Sequence, residues 1–94
     1  MGAKEHIRRE TYQGYLVPGK RYRVTKAFLD TGKTVHRPGE TWTYLGYSIH
    51  GFADATAIYT RSSNGVEAGF GIDWNNETDN VLEHLRDYVE PVEP

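Results

Sequence analysis

The dipeptide Asn64-Gly65 separates two β-prone runs, Ala55 to Ser63 and Val66 to Trp74, and nowhere else does the chain restrict local geometry so narrowly. Asn and Gly both accept positive φ, so the pair favours a two-residue type I′ hairpin turn. Such a turn predicts a register with Tyr59 opposite Phe70, Ala57 opposite Ile72 and Ala55 opposite Trp74, all on the core face together with Val66 and Ala68. Large side chains on one strand then meet small ones on the next, as a packed core requires. The opposite face reads Thr60 with Gly69, Ile58 with Gly71 and Thr56 with Asp73, and is nearly bare of side chains. Alternating glycines of this kind either let another backbone approach closely or permit strand curvature.

Upstream, residues 21–28 (RYRVTKAF) alternate Tyr22, Val24 and Phe28 against Arg21, Arg23 and Thr25, the period-2 pattern of a half-buried strand. Residues 30–40 carry Gly32 and Pro38-Gly39 and read as a long loop, with Thr34 to His36 briefly extended. Residues 41–50 (TWTYLGYSIH) are β-prone throughout, but the apolar phase moves from Trp42 and Tyr44 to Tyr47 and Ile49 across Leu45-Gly46. A one-residue shift at a glycine predicts a β-bulge, which bends a strand while it keeps feeding one core. After Asn75 the period becomes helical: Val81, Leu82, Leu85, Tyr88 and Val89 share one face. Asn75 or Asn76 is placed to cap that helix, Glu77 and Asp79 suit its first turn, and Pro91 ends it. The expectation is a polar tail over 1–13 and a single domain over 14–94 with a C-terminal helix at about 76–90. The fold class is mainly β within α+β, either a small SH3-like barrel or a strongly twisted antiparallel sheet with that one helix.

Composition narrows the chemistry. A chain of 94 residues without cysteine has neither a disulfide framework nor a thiolate metal site nor a Cys nucleophile. No apolar run approaches the ~20 residues of a membrane span. The opening MGAKEHIRRE is charged where a signal peptide turns apolar, so a cytoplasmic location is expected. The net charge of −2 conceals a split: residues 1–47 hold nine basic and four acidic residues, residues 48–94 two basic and nine acidic. Two readings are open. Either Arg21 and Arg23 belong to an anion-attracting stripe, or the basic strands are neutralised by the acidic C-terminal part of the same chain.

Each motif competes with a plain folding role. Ala27 to Thr34 fits a loose phosphate-loop pattern, but Pro38-Gly39 forbid the helix that such a loop must enter. His36, His50 and His84 invite pairing with Asp54 or Asp73, yet none stands at a metal-ligand spacing, and neither metal nor cofactor is expected. Ser48, Ser62 and Ser63 lack a nucleophile-elbow context. Asn76-Glu77-Thr78 is a glycosylation sequon in form only. Seven Tyr, two Trp and three Phe serve either the core or a stacking surface, with Tyr12, Tyr15 and Tyr47 the most exposed of them by expectation.

The stretch His36-Arg-Pro38-Gly39-Glu40-Thr-Trp42-Thr-Tyr-Leu45-Gly46-Tyr47, with Phe52 and Asp54 after it, resembles the family of small bacterial domains called domain of unknown function 3601. Tyr22, Val24 and Phe28 before it, and Trp74, Glu77, Leu85, Tyr88 and Val89 after it, extend the resemblance over roughly residues 15–89. It departs at Ala53 and Ala55 to Ala57, where an acidic, Gly-containing turn is expected. The resemblance implies a bacterial or phage setting and a compact β domain, and it brings no catalytic or binding residues. With no catalytic constellation in view, the expected function is a non-enzymatic interaction module that binds another protein, of the inhibitor, immunity or adaptor type. The alternative is a nucleic-acid-binding barrel that uses the basic first strand and its aromatics. The residues singled out for binding are Arg21, Arg23, Tyr47, His50, Gly69 and Gly71.

Overall fold

A computed structural model describes residues 7–51, 54–74 and 81–92. The alternating pattern of RYRV becomes β1 (Arg21–Val24), with Tyr22 and Val24 buried and both arginines exposed. Two short strands follow, β2 (Phe28–Leu29) and β3 (Val35–His36), paired with each other as a hairpin. The long strands are β4 (Thr41–His50), β5 (Ala55–Arg61) and β6 (Glu67–Asp73). A 3₁₀ turn (Val81–Glu83), the single-turn helix α1 (Leu85–Tyr88) and β7 (Val89–Pro91) complete the chain. The main sheet has the order β6-β5-β4-β1-β7, all pairs antiparallel. Among the described residues β6 and β7 are its two edges, so the protein is a small β-rich α+β domain with an open antiparallel sheet.

The bulge lies where the apolar phase shift put it. Pairing of β4 with β5 jumps between Tyr44 and Gly46, so Trp42 and Tyr44 before the bulge and Tyr47 after it all face the core. That core is built on Tyr22, Tyr44, Leu16, Ile58, Ile72 and Val24, each essentially inaccessible to solvent. Tyr12 is buried too, contrary to the expectation of exposure, while Tyr15 and Tyr47 are half-buried and packed against the core.

Three expectations need correction. The β5–β6 hairpin is shifted by one residue from the predicted register: Tyr59 faces Gly69, Ile58 faces Phe70 and Thr56 faces Ile72. The loop holds three residues, Ser63 to Gly65. Gly65 N–H donates to Ser62 C=O at 3.0 Å, Ser62 N–H donates to Val66 C=O at 2.8 Å, and Gly65 takes φ 88°. Ser62 provides the reason, since its hydroxyl accepts from Val66 N–H at 3.1 Å and donates to the Asn64 side chain, ties that a two-residue turn would forgo. Because strand side chains alternate, a slip of one residue exchanges the faces of β5. Thr56, Ile58 and Thr60 go into the core, and Ala55, Ala57 and Tyr59 go to the other face.

The C-terminal helix is the second correction. Its predicted start, with Asn75, Asn76, Glu77 and Asp79, lies outside the described residues, and residues 81–88 hold one 3₁₀ turn and one α turn instead of a helix that runs to residue 90. Val81, Leu85, Tyr88 and Val89 are buried as the periodicity predicts. From Val89 onward the chain extends and pairs with β1, Val24 with Val89 and Tyr22 with Pro91. The free edge of β1 offers a β-branched residue a better environment than another helical turn.

Third, the described part of the N-terminal segment is not a tail. Arg8 exchanges two backbone hydrogen bonds with Tyr47, at 2.7 and 3.0 Å, and Tyr44 donates its hydroxyl proton to the Glu10 carbonyl at 2.9 Å. Gly46 makes this possible, for a Cβ there would stand 2.4 Å from the Arg8 carbonyl oxygen.

Candidate functional site

Two polar clusters and one sheet edge stand out. The first cluster centres on the buried His36. His36 stacks on its cross-strand partner Phe28, with centroids 4.8 Å apart, and lies 4.3 Å from Phe70. Its Nε2 is 2.8 Å from an Asp30 oxygen and its Nδ1 2.7 Å from Glu40, which also accepts from the Trp42 indole at 3.1 Å. These are not the carboxylates considered for histidine pairing in the sequence. Both ring nitrogens of His36 are spent on the two acids, which joins the two ends of the β2–β3 hairpin to β4. The Gly32-Lys33 stretch is the tip of that hairpin, where Asp30 accepts the N–H of Gly32 and of Thr34, so the amides a phosphate would need are already used. Among the described residues no cluster of His, Asp and Glu could hold a metal ion.

The second cluster lies on the face of β4 and β5 turned away from the core. Beyond the bulge Gly46, Ser48 and His50 pair with Tyr59, Ala57 and Ala55, and these pair in turn with Gly69, Gly71 and Asp73 of β6. Cross-strand partners share a face, so the nine residues form a patch of three rows. Ser48 is its hub: its Oγ is 2.8 Å from His50 Nε2 and 3.1 Å from the Tyr59 hydroxyl. The Ser–His distance matches that of a nucleophile and its base, but Ser48 is 1% exposed and its hydroxyl is held on both sides. The arrangement therefore positions His50 and Tyr59 rather than presenting a nucleophile. Between these two side chains and Asp73 runs a groove of about 440 Å³ floored by Ala55, Ala57, Gly69 and Gly71.

Both glycines have an intramolecular reason. A Cβ on Gly69 would meet the Tyr59 ring at 2.9 Å, and one on Gly71 would meet the Thr31 hydroxyl at 2.7 Å. Tyr59 thus lies across Gly69 and divides the 440 Å³ groove from a second one of about 290 Å³ lined by Ile7, Leu45 and Glu67 among others. On the core side of the same strand a third groove, about 380 Å³, is lined by Trp42, Phe70, Val66, Ala68 and the His36 cluster.

The edge of β6 runs between these grooves. Ser62 bonds Val66 at one end of the hairpin, and Trp74 N–H donates to Asp54 C=O at the other. By the alternation of an antiparallel ladder, Ala68, Phe70 and Ile72 turn their backbone groups to β5, and Glu67, Gly69, Gly71 and Asp73 turn theirs outward. Thr31 N–H takes the Gly71 carbonyl at 2.9 Å, and among the described residues no backbone group takes those of Glu67 or Gly69.

The six residues singled out in the sequence separate. His50, Gly69 and Gly71 come together at the 440 Å³ groove. Tyr47 is on the opposite face, packed 4.8 Å from Tyr12 and bonded to Arg8. Arg23 pairs with Glu90 of β7 at 3.1 Å, and Arg21 touches Ser63 at 3.5 Å. Arg61 pairs with Glu67 at 3.1 Å, and the Arg23–Glu90 pair joins the basic first half to the acidic second half, which accounts for part of the charge split. Tyr59 was missed as a site residue because the inverted register assigned it to the core, and Ser48 was weighed only as a nucleophile and set aside.

No family model and no curated protein matches the sequence. Among solved structures, an integron cassette protein from the mobile metagenome of Vibrio cholerae is similar in fold, with a TM-score of 0.83, at 19% identity over 98% of this chain and 100% of that one.

Proposed function

We propose that this protein is a non-enzymatic interaction module that receives an extended segment of another protein along the edge of β6. The observation that carries the reading is the outward N–H and C=O of Glu67 and Gly69, bordered by grooves on both faces of the strand. An added strand gains affinity from main-chain hydrogen bonds and specificity from pockets that take alternate side chains. The Asn64-Gly65 turn limits the pairing at one end and Thr31 at the other. The absence of a side chain at Gly69 leaves Tyr59 and the apolar wall beyond it open to the incoming segment. For the nucleic-acid alternative the basic first strand offers less support, since Arg23, one of its two arginines, is paired with Glu90.

A displayed library of random dodecapeptides tests the reading. Selection on the protein should yield peptides that shift the amide resonances of Glu67 and Gly69. Glu67→Pro removes one outward N–H at an edge position that tolerates proline, and should weaken their binding ~3–10-fold at an unchanged thermal midpoint. Selected peptides that perturb β7 or β1 instead, or that bind the proline variant equally well, refute the edge as the site.

A further inference from the structure

The 440 Å³ groove has a one-sided chemistry. Among the described residues its polar lining consists of Asp73, His50, Tyr59 and Thr31, with no Lys or Arg. Asp73 has no ion pair or hydrogen-bond partner for its carboxylate among the described residues, while Glu67 on the same edge is neutralised by Arg61. Thr31 sets a hydroxyl oxygen beside Gly71. The groove therefore places the negative charge of Asp73 and the hydroxyl oxygen of Thr31 next to an aromatic ring whose orientation Ser48 fixes from below.

We infer that this groove is the recognition pocket for an arginine or lysine side chain of the docked segment. The inference rests on the edge-docking reading and adds the chemistry of the occupant. In a strand paired with β6, the residue opposite Gly69 points its side chain to the outer face, over the groove. A guanidinium or ammonium group there donates to Asp73 and the neighbouring oxygens, and lies against Tyr59 for a cation–π contribution. An acidic side chain meets Asp73 as a like charge and is excluded.

The same dodecapeptide library, selected in parallel on the protein and on Asp73→Asn, tests this. On the protein, Arg and Lys at one position should exceed their frequency in the unselected library ~fivefold, with Asp and Glu depleted there. On Asp73→Asn that preference should fall to background, while preferences at the other positions persist. If basic residues are not enriched, or their enrichment survives Asp73→Asn, the cation pocket is refuted and edge docking stands. If no peptide is selected that depends on the outward N–H of Glu67, edge docking fails and the pocket with it.

Discussion

Tyr15, Tyr22 and Tyr44 show how single side chains make an aromatic-rich small core sensitive to base. Each hydroxyl is bonded to backbone: Tyr15 donates to Val89 C=O, Tyr22 donates to Tyr15 C=O while accepting from Val17 N–H, and Tyr44 donates to Glu10 C=O. Burial pushes all three above the usual phenol range, with Tyr47 and other neighbours adding to the shift at Tyr44. In the unfolded chain they ionise at about pH 10. Between that pH and the higher folded values the unfolded state has fewer protons, so stability, full below pH ~10, falls as pH rises. Urea unfolding measured from pH 8 to 11.5 should show this decline. Tyr44→Phe should flatten it by up to ~1.4 kcal/mol per pH unit, the share of one tyrosine.

Strand register is the feature on which the candidate site depends, and a pair of substitutions reads it. With the hairpin as observed, Ile58 is buried and Ala57 lines an open groove. Ile58→Ala should cost ~2–4 kcal/mol, and Ala57→Ser should stay within ~0.5 kcal/mol. The two-residue turn inferred from Asn64-Gly65 requires the reverse order, so urea midpoints of the two variants separate the registers. The hairpin itself, its position and the core orientation of Phe70 and Ile72 were all legible from turn residues and period. Its phase was not, because the hydroxyl of Ser62 tips the loop to three residues and a dipeptide signal does not weigh that contribution.

Closure of the fold depends on β7, which gives β1 its second neighbour and brings Glu90 beside Arg23. This exposed ion pair is worth ~0.2–1 kcal/mol and is screened by salt, so the apolar contact of Val89 is the stronger link. Val89→Asp should destabilise by ~3–5 kcal/mol, because it buries a charge that has no mate, and should expose dye-binding apolar surface in the sheet. Arg23→Ala should change the urea midpoint far less. Equal effects of the two would show that charge, and not burial, holds the C-terminal strand.

Local signals in the chain settle the things that act over a few residues. Period-2 runs give the strands, the Leu45-Gly46 phase shift gives the bulge, and Asn64-Gly65 gives the hairpin. The 440 Å³ groove depends on groups far apart in sequence. Ser48 joins His50 to Tyr59, Thr31 comes over Gly71 from another hairpin, and Arg8 settles on Gly46. Each of these contacts required the sheet order and a one-residue register, which come out of competition among long-range pairings. Propensity and period do not encode the outcome of that competition, so the strands were readable in advance, and the face on which Tyr59 emerges became known only from their packing.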